Sequence, residues 1–483
     1  MQVFSTGAVS KGLTSKNLKT VKNKADMKKK LQKFAFGLLL AAGLTTNTFA
    51  QWQTVGNAGF SAGDALNTSL AFSSSGEPYV AYSDGANSQK ATVMKFNGTN
   101  WVNVGTAGFS AGSTLNSLLT IAFSPSGEPY VAYSDGANSQ KATVMKFNGT
   151  NWVNVGTAGF SAGSITYGLI AFAFSNSGEP YVAYRDGANS DKATAMKFNG
   201  TNWVNVGTAG FSAGVVGGVS LAFSPSGEPY VAYQDATTFE KLTAMKFDGT
   251  NWVNVGTAGF SAGAAGGVSL AFSPSGEPYV AYQDATTFQK LTAMKFDGTS
   301  WVNVGTTGFT PGQSVYPSLA FSPSGEPYVA FSYVGNSLKA SVMKFNGTTW
   351  VNVGTPGFSA GPAPFLSLAF SSNGEPYVAY SDGANSDKTT VMKFAENTMG
   401  INEGGFQNTV SVYPNPANNF VTLSDVPSGS AVRILDITGK TVYSLIVAGE
   451  QTTINTSDLI NGIYLIRIEN NRNSVSRKLV VNR

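Results

Sequence analysis

Apolar and aromatic residues in this chain recur in short runs of three to five, and Pro, Gly and Asn separate the runs. The whole arrangement returns about every 49 residues as SLAFSPSGEPYVAYxD, a variable loop, KxTxMKFNGTNWVNVGTAGFSAG and a second variable loop. Self-similarity at such a period is typical of repeat folds. All seven tryptophans share one position of the repeat: Trp52, Trp101, Trp152, Trp203, Trp252, Trp301 and Trp350.

Each repeat contains four pieces of strand length. In the second repeat we predict strand a at 121–123, strand b at 130–133, strand c at 143–147 and strand d at 152–155. Ser-Pro-Ser-Gly-Glu-Pro between a and b, and Asn-Gly between c and d, are turn signals. Strand b is bulky on both faces, which suits a covered sheet. Four antiparallel strands per repeat, stacked face to face, describe a β-propeller blade.

The two ends of the repeat region complement each other. Residues 52–56 form a strand d with no strand before it, and the seventh a-b-c set (368–394) has no tryptophan strand after it. Pairing the two would complete a seventh blade and hide two sheet edges. The alternative, a β-solenoid, would need polar caps at both ends. The sequence therefore predicts an all-β fold with a seven-bladed propeller over residues 51–394, closed by its N-terminal strand.

The loops of the propeller divide into two rims. The a–b and c–d turns hardly change between repeats, whereas the d–a and b–c connections on the other rim vary, as in residues 64–67, 165–168, 215–218 and 362–365. We take this variable rim as the candidate binding face; unconstrained drift is the alternative. On it, the aspartate that starts the b–c loop could accept sugar hydroxyls or, with Asn87, ligate Ca²⁺. An Asx turn is the alternative. These residues are Asp84, Asp135, Asp186, Asp235, Asp284 and Asp382.

The amino-acid composition excludes several kinds of catalytic and metal-binding site. The chain contains no His and no Cys, which excludes thiol nucleophiles, Ser-His-Asp triads, imidazole or thiolate zinc sites and disulfides. The net charge is +4, but residues 1–50 contribute +8 and the remainder is −4, so we expect no nucleic-acid partner. We expect no cofactor, and Ca²⁺ is the sole metal considered. A carboxylate enzyme would need an acidic cluster in one or two blades, and no such cluster is evident in the sequence.

The N-terminal 50 residues read as a leader. Residues 27–33 are basic and residues 34–44 are apolar, a stretch of about 11 residues that is too short to span a bilayer. Ala50 supplies the small residue that a signal-peptide cleavage position requires. We predict a signal peptide with Met27 as its start and cleavage between Ala50 and Gln51. We expect no transmembrane segment.

The repeat stops at a linker, residues 395–409, and a different pattern follows. Six or so short alternating strands in about 75 residues predict a small Ig-like β-sandwich over residues 410–483. Ordered motifs accompany them: YPNP, VxxxDxxGKxV, LxxGxY and a terminal RKLVV. The motif residues are Pro414, Asn415, Pro416, Gly439, Lys440, Gly462, Tyr464 and Lys478. With these motifs the segment resembles the type A sorting domain of the type IX secretion system.

The resemblance implies an export route. The leader would cross the inner membrane and the sorting domain would engage the type IX machinery at the outer membrane. The protein would then be secreted, or attached to the outer surface, of a Gram-negative bacterium. An ordinary Ig-like accessory domain is the alternative. Export route says nothing about the function of the propeller.

Three functions remain open for the propeller. The leading hypothesis is a lectin-like or adhesin-like protein that binds a glycan or protein on the variable rim, with repetition supplying avidity. The alternatives are a carboxylate-dependent glycan hydrolase or lyase and a structural surface protein. A deep rim pocket lined by non-repeated residues would favour an enzyme. Seven equivalent shallow sites between blades would favour a lectin.

Overall fold

The computed structural model describes residues 51–114, 118–395, 410–437, 439–470 and 473–483. The leader with Met27 and Ala50, and most of the linker, lie outside the described residues. The signal peptide and its cleavage site therefore stay predictions. The helical segments that are described are three-residue turns, and none could span a bilayer.

Residues 51–395 form seven four-stranded antiparallel sheets. The strand order begins with β1 (Gln51–Thr54), which belongs to the last blade. Blade 1 contains β2 (Ala65–Phe72), β3 (Pro78–Asp84), β4 (Lys90–Phe96) and β5 (Trp101–Asn103). Blade 2 contains β6 (Thr120–Phe123), β7 (Pro129–Asp135), β8 (Lys141–Phe147) and β9 (Trp152–Asn154). Blade 3 contains β10 (Ile165–Phe174), β11 (Pro180–Asp186), β12 (Lys192–Phe198) and β13 (Trp203–Asn205).

The remaining blades repeat this order. Blade 4 contains β14 (Val216–Phe223), β15 (Pro229–Asp235), β16 (Lys241–Phe247) and β17 (Trp252–Asn254). Blade 5 contains β18 (Ala265–Phe272), β19 (Pro278–Asp284), β20 (Lys290–Phe296) and β21 (Trp301–Asn303). Blade 6 contains β22 (Ser314–Phe321), β23 (Pro327–Tyr333), β24 (Lys339–Phe345) and β25 (Trp350–Asn352). Blade 7 contains β26 (Ser367–Phe370), β27 (Pro376–Asp382), β28 (Lys388–Ala395) and β1.

The b–c loops share one conformation. Each contains a single 3-10 turn, at Gly85–Asn87, Gly136–Asn138, Gly187–Asn189, Ala236–Thr238, Ala285–Thr287, Val334–Asn336 and Gly383–Asn385. Strand b is seven residues long in every blade, three residues longer than the strand predicted for the second repeat. It ends at the loop aspartate in six blades and at Tyr333 in blade 6. The repeat therefore folds as predicted, with longer second strands.

Blade 7 is assembled from both ends of the repeat region. β1 pairs antiparallel with β28, with Trp52 opposite Phe394, which is the pairing that the chain ends predicted. The same blade packs on both neighbours. Val378 lies in one apolar cluster with Tyr328 of blade 6, and Tyr377 lies in another with Val80 of blade 1.

One contact joins every blade to the preceding blade. The Trp101 indole Nε1 donates to the Val55 carbonyl at 2.7 Å, and the Phe60 ring stacks on the indole with centroids 4.2 Å apart. All seven tryptophans make this bond, at 2.7–2.8 Å, and each carries a stacked phenylalanine at 4.1–4.3 Å. The set includes Trp52, which donates to Val353 of blade 6.

A second set of contacts joins the innermost strands. The Ser367 hydroxyl accepts a hydrogen bond from the Leu70 backbone N–H at 2.9 Å, across the junction between blades 7 and 1. Four further junctions contain the same bond, with Ser69, Ser220, Ser269 and Ser318 as acceptors. These bonds satisfy backbone donors that face the centre of the propeller, where they have no strand partner.

The second strand of each blade supplies most of the buried core. Tyr82 is 1% exposed, and its hydroxyl donates to the Met94 sulfur at 3.2 Å. Burial, reinforced by the nearby Asp84 charge, raises the pKa of Tyr82 far above its ordinary value. Tyr133, Tyr184, Tyr233, Tyr282 and Tyr380 share this environment. Blade 6 has Phe331 at the position.

The C-terminal domain consists of two sheets around one apolar core. Its strands are β29 (Ser411–Tyr413), β30 (Phe420–Ser424), β31 (Ala431–Leu435), β32 (Thr441–Ile446), β33 (Gln451–Asn455), β34 (Gly462–Asn470) and β35 (Asn473–Val481). The sheet orders are β29-β30-β33 and β32-β31-β34-β35. The sequence missed β33, because Ile454 is the one buried residue of that polar segment.

Removal of β1 tests how much the composite blade contributes to stability. A chain that starts at Asn57 loses the β1–β28 pairing, the Trp52 bond to Val353 and the stacked Phe358 ring. Loss of one buried tryptophan costs about 3–5 kcal/mol, so we expect the melting temperature to fall by about 6 °C or more relative to a chain that starts at Gln51. The matched control removes residues 401–483 and leaves the propeller transition in place. An unchanged melting temperature in the N-terminal truncation would contradict ring closure by β1.

The buried tyrosines predict an alkaline limit to stability. In the unfolded chain they ionise near their ordinary pKa of 10.0; in the folded chain the raised pKa keeps them protonated. Above pH 10 the unfolded state therefore loses protons first, and the free energy of unfolding falls as pH rises. Denaturant titrations between about pH 8 and pH 11, from about two units below that pKa to about one unit above it, should show this decline. The decline should be smaller in Tyr133→Phe, which copies Phe331.

Candidate ligand-binding site

The six loop aspartates lie inside the blades. Each is 0–1% exposed and caps a 3-10 turn. In blade 2, Asp135 Oδ1 accepts from the Ala137 backbone N–H at 3.0 Å. Its Oδ2 accepts from Asn138 Nδ2 at 2.8 Å and from the Thr143 hydroxyl at 3.0 Å. Both carboxylate oxygens are thus used within one blade.

This geometry is that of the Asx turn, the alternative interpretation of these residues. Asn138 presents its N–H₂ group to the carboxylate, so the pair does not converge two oxygens on a cation. Among the described residues no group of three acidic side chains could hold a metal ion. The ligand-binding prediction for Asp84, Asp135, Asp186, Asp235, Asp284 and Asp382 has no accessible carboxylate to support it, and these residues are not part of the candidate site.

A cavity of about 560 Å³ opens at the centre of the propeller. All seven blades line it through the first residues of their innermost strands, and two lie at the ends of second strands, Arg185 and Gln234. These positions belong to the variable rim. Segments 64–67, 165–168, 215–218 and 362–365, which the repeat comparison marked as variable, contribute Asn67, Tyr167, Gly217, Gly218 and Phe365.

Aromatic side chains reach the cavity from a distorted backbone. Tyr167, Tyr316 and Phe365 line it and have φ values of 54°, 55° and 55°. Bulky L-residues rarely adopt this left-handed conformation. Tyr167 and Tyr316 lie where the pairing of the innermost strand shifts register, and such bulges re-aim side chains. Tyr316 and Phe365 contact each other with centroids 5.3 Å apart.

Blades 4 and 5 contribute glycines instead of rings. A Cβ at Gly217 would lie 1.8 Å from the Gln234 side-chain oxygen, so only glycine leaves room for that amide. The Gln234 oxygen accepts from the Gly218 backbone N–H at 3.0 Å, and its nitrogen donates to the Ala265 carbonyl of blade 5. Gln234 is therefore committed to joining two blades. The cavity has aromatic walls on blades 3, 6 and 7 and a low wall on blades 4 and 5.

Among the described residues that line the cavity, Arg185 is the one side chain that is charged at neutral pH. Its Nη2 donates to Asp191 Oδ2 at 3.1 Å, and the guanidinium carbon lies 4.8 Å from the centroid of the Tyr167 ring. The Thr166 hydroxyl donates to the other Asp191 oxygen at 2.5 Å. These hydrogen bonds, chiefly the one from Arg185, lower the pKa of Asp191, so the ion pair persists in mildly acidic solution.

Sequence reasoning found part of this site. Comparison of the repeats identified the rim. Arg185 was not among the predicted site residues, although its being the single arginine of residues 51–394 is a signal that could have marked it. Nothing in the sequence indicated that the variable segments converge on one cavity. Tyr316 stands outside every segment singled out, and its role depends on a register shift that has no motif.

The opposite rim has shallow grooves between blades. One of about 540 Å³ lies between blades 2 and 3, and its equivalent of about 480 Å³ lies between blades 7 and 1. The turn glutamate in each blade is bonded locally: Lys95 Nζ donates to Glu77 Oε1 at 2.9 Å, and the Glu77 backbone N–H donates to the Ser73 hydroxyl. Turn geometry accounts for the constancy of this rim.

The motif residues of the C-terminal domain fix its turns and edges. Asn415, between Pro414 and Pro416, donates to the Lys478 carbonyl at 2.7 Å and accepts from the Val480 backbone N–H at 2.9 Å. Gly439 has φ 83° in the turn that leads to β32, and the Lys440 backbone N–H donates to Asp436. Gly462 begins β34, and the buried Tyr464 hydroxyl donates to the Ile460 carbonyl at 2.9 Å. The Lys478 side chain is exposed on β35.

A comparison with known protein families supports the predicted sorting domain. Residues 411–482 match the family described as "Secretion system C-terminal sorting domain". The C-terminal domain is a type A sorting domain of the type IX secretion system. The protein is therefore exported through the outer membrane of a Gram-negative bacterium to the cell surface or beyond, and the type IX machinery is its export partner.

Solved structures with related architecture are distant. PorZ, a surface component of the type IX secretion system of Porphyromonas gingivalis, is 15% identical over 86% of this chain with a TM-score of 0.47; the chain spans 59% of the length of that protein. An ulvan lyase, a polysaccharide lyase, is 12% identical over 71% of this chain and 96% of its own, with a TM-score of 0.48. An Aleuria aurantia lectin is 18% identical over 60% and 96%, with a TM-score of 0.42. No curated protein matches the sequence.

The hydrogen bonds of the buried aspartates predict that replacing one carboxylate oxygen by an N–H₂ group, as in an Asp→Asn substitution, lowers stability. In Asp135→Asn one of three donors around the side chain loses its acceptor, which should lower the free energy of unfolding by about 1–3 kcal/mol. Chemical denaturation measures the change. The control is Asp248→Asn, at an exposed c–d turn where blades 1, 2, 3 and 6 already have Asn. We expect no comparable loss there, and equal losses would contradict the structural role of Asp135.

Proposed function

We propose that the protein is an exported lectin-like binding protein that holds one sugar-sized ligand in the central cavity of its propeller. The observation that carries the proposal is the cavity lining: three aromatic rings held in left-handed backbone, with one guanidinium and no carboxylate among the described residues that line it. Pockets with mostly apolar walls and few polar groups are typical small-molecule sites.

The aromatic rings suit a ligand with an apolar face. Tyr167 is 77% exposed, so its ring is available for stacking in spite of its contact with Arg185. Rings in this position cost conformational energy, because φ near 55° is unfavourable for an L-residue by about 1–2 kcal/mol. Strain of this kind is concentrated at functional sites. Three strained aromatics around one opening support a recognition role better than they support a purely structural surface role.

Recognition at one central site differs from the multivalent rim that the repeats suggested. The cavity lining changes from blade to blade, so the seven blades do not supply seven copies of this site. The repeated grooves lie on the opposite rim and are lined by turn residues that already bond to each other, such as Ser177 and Glu179. Avidity across equivalent sites is therefore not part of the proposal.

A glycan-active enzyme is the second candidate, and one observation favours it. The cavity is lined by non-repeated residues, which is the arrangement expected of an enzyme. Hydrolysis of glycosides usually requires two carboxyl groups within about 5–10 Å of each other. The carboxylate that is bonded to the cavity wall is that of Asp191, and its two oxygens are bonded to Arg185 and Thr166. We therefore place binding ahead of hydrolysis.

Ligand binding is tested with the purified protein on a glycan array, followed by calorimetry with the best ligand. Tyr167→Ala or Phe365→Ala should weaken binding about tenfold or more, since each aromatic contact contributes about 1 kcal/mol beyond its buried area. The control is Phe239→Ser, which alters an exposed rim residue outside the cavity and copies the residue of blades 1, 2, 3, 6 and 7.

The outcomes separate the candidates. Unchanged affinity in both cavity variants would exclude the central site. Release of reducing sugars from an array hit, abolished by Asp191→Asn, would favour the enzyme. Absence of binding to any glycan would leave the lectin-like proposal wrong.

A further inference from the structure

We infer that Arg185 makes the central cavity selective for acidic saccharides, meaning sugars that carry a carboxylate or a sulfate. The inference rests on the proposed function and adds the ligand class. It is carried by the way in which blade 3 departs from the other blades at one position.

At the position of Arg185, five other blades have a side chain that donates to a backbone carbonyl. In blades 2 and 7 the acceptor lies in the same blade, as Ser134 and Ser381 donate to the Gln140 and Asp387 carbonyls; in blades 1, 4 and 6 it lies in the next blade. In blade 1 the Ser83 hydroxyl donates to the Thr114 carbonyl at 3.0 Å. Gln234 of blade 4 and Ser332 of blade 6 donate to Ala265 and Ala363, the carbonyls at the same place in the next blade. Each acceptor lies 31 residues after its donor. In these five blades the neutral polar side chain at this position is thus bonded to the backbone of the scaffold.

Arg185 does not make the scaffold bond. Its hydrogen bond within the described residues goes to Asp191 of its own blade, and the Tyr167 ring covers one face of the guanidinium. The side chain is 15% exposed and lies in the cavity wall. Blade 3 therefore places a cation, paired with a carboxylate, at the cavity wall, where five other blades have a neutral side chain bonded to a backbone carbonyl.

The guanidinium is held in place and retains donors. Asp191 engages one terminal nitrogen, and Nε is shielded from solvent without an acceptor within the described residues. Asp191 itself is not among the residues that line the cavity. A ligand in the cavity consequently meets the cation and not its counterion. Guanidinium groups bind carboxylates and sulfate-like oxyanions through paired N–H donors.

Tyr167 places the surface on which a sugar ring could stack next to the guanidinium that would bind its acidic group. Its ring contacts the guanidinium on one side and is largely exposed. A sugar ring that stacks on Tyr167 would carry its acidic substituent close to Arg185. Neutral sugars could use the aromatic walls but would leave the guanidinium donors without an acceptor, which weakens binding.

The test compares matched ligands on the full protein. We would measure dissociation constants for three oligosaccharides that differ only in the terminal unit: glucose, glucuronate or 6-sulfated glucose. The wild-type protein should bind at least one acidic form about tenfold or more tightly than the neutral form, a usual size for a charged hydrogen-bond pair. The form that binds better identifies the oxyanion.

Arg185→Gln installs the residue that blades 4 and 5 have at this position. The ratio of neutral to acidic dissociation constants should fall from ten or more to about one. Asp191→Asn keeps the guanidinium but removes its charged anchor, so the ratio should fall only partly; Asp191 is a positioning residue. Phe239→Ser should leave the ratio unchanged, and thermal unfolding of each variant shows whether it is folded. Arg185→Lys, which keeps the charge but loses the paired donors, should retain an intermediate ratio if Arg185→Gln does not fold.

Each outcome decides the matter. Equal binding of neutral and acidic sugars by the wild type, with loss of both in Tyr167→Ala, would overturn the acidic specificity and leave the central binding site intact. An acid preference that survives in Arg185→Gln would place the selectivity elsewhere and overturn the role of Arg185. If the wild type binds none of these sugars and no array glycan, the proposed function and the inference are both wrong.

Discussion

An indole N–H that donates to a buried valine carbonyl, with a phenylalanine stacked on the indole, fastens each blade of this propeller to the blade before it. The contact occurs seven times, and its last instance connects Trp52 at the start of the propeller to Val353 near its end. Since each blade is a small sheet that cannot cover its own two faces, the fold depends on this contact being repeated without a gap. The composite seventh blade follows directly from that requirement.

The strength of these junctions permits variation elsewhere. The tryptophan, the stacked phenylalanine and the a–b turns hardly differ between repeats, and they lie away from the centre of the variable rim. The innermost strands begin near the axis, where serine hydroxyls complete five junctions. The residues that differ most between blades lie just before those serines. The blades form a nearly symmetric frame, but the cavity at its centre is asymmetric, because blades 3, 6 and 7 line it with aromatic rings and blades 4 and 5 with glycines.

Arg185 shows how a difference between blades at one position changes the chemistry of the cavity. At the position of Arg185 most blades have a short polar residue, and in blades 1, 4 and 6 that residue bonds to the next blade. An arginine there is held by Asp191 and Tyr167 and faces a mostly apolar opening. The buried aspartates of the b–c loops show the converse. Their carboxylates were predicted to bind a ligand, but they accept hydrogen bonds within a turn instead. Around Asp135, for example, three donors of the same blade already occupy both carboxylate oxygens.

The sequence alone determined the blade, the number of blades, the pairing of the chain ends and the export domain, because each depends on local patterns that recur: strand-length apolar runs, turn residues and the spacing of tryptophans. It also located the variable rim. Only the tertiary structure decided which residues of that rim meet. Tyr167, Tyr316 and Phe365 are about 50 to 200 residues apart in the chain. A ring of blades brings them together at the axis, and Tyr167 and Tyr316 lie at register shifts that no local pattern specifies. It likewise decided that the loop aspartates point inward, since an Asx turn and an oxygen ligand require the same residue at the same place and differ only in where the neighbouring donors lie.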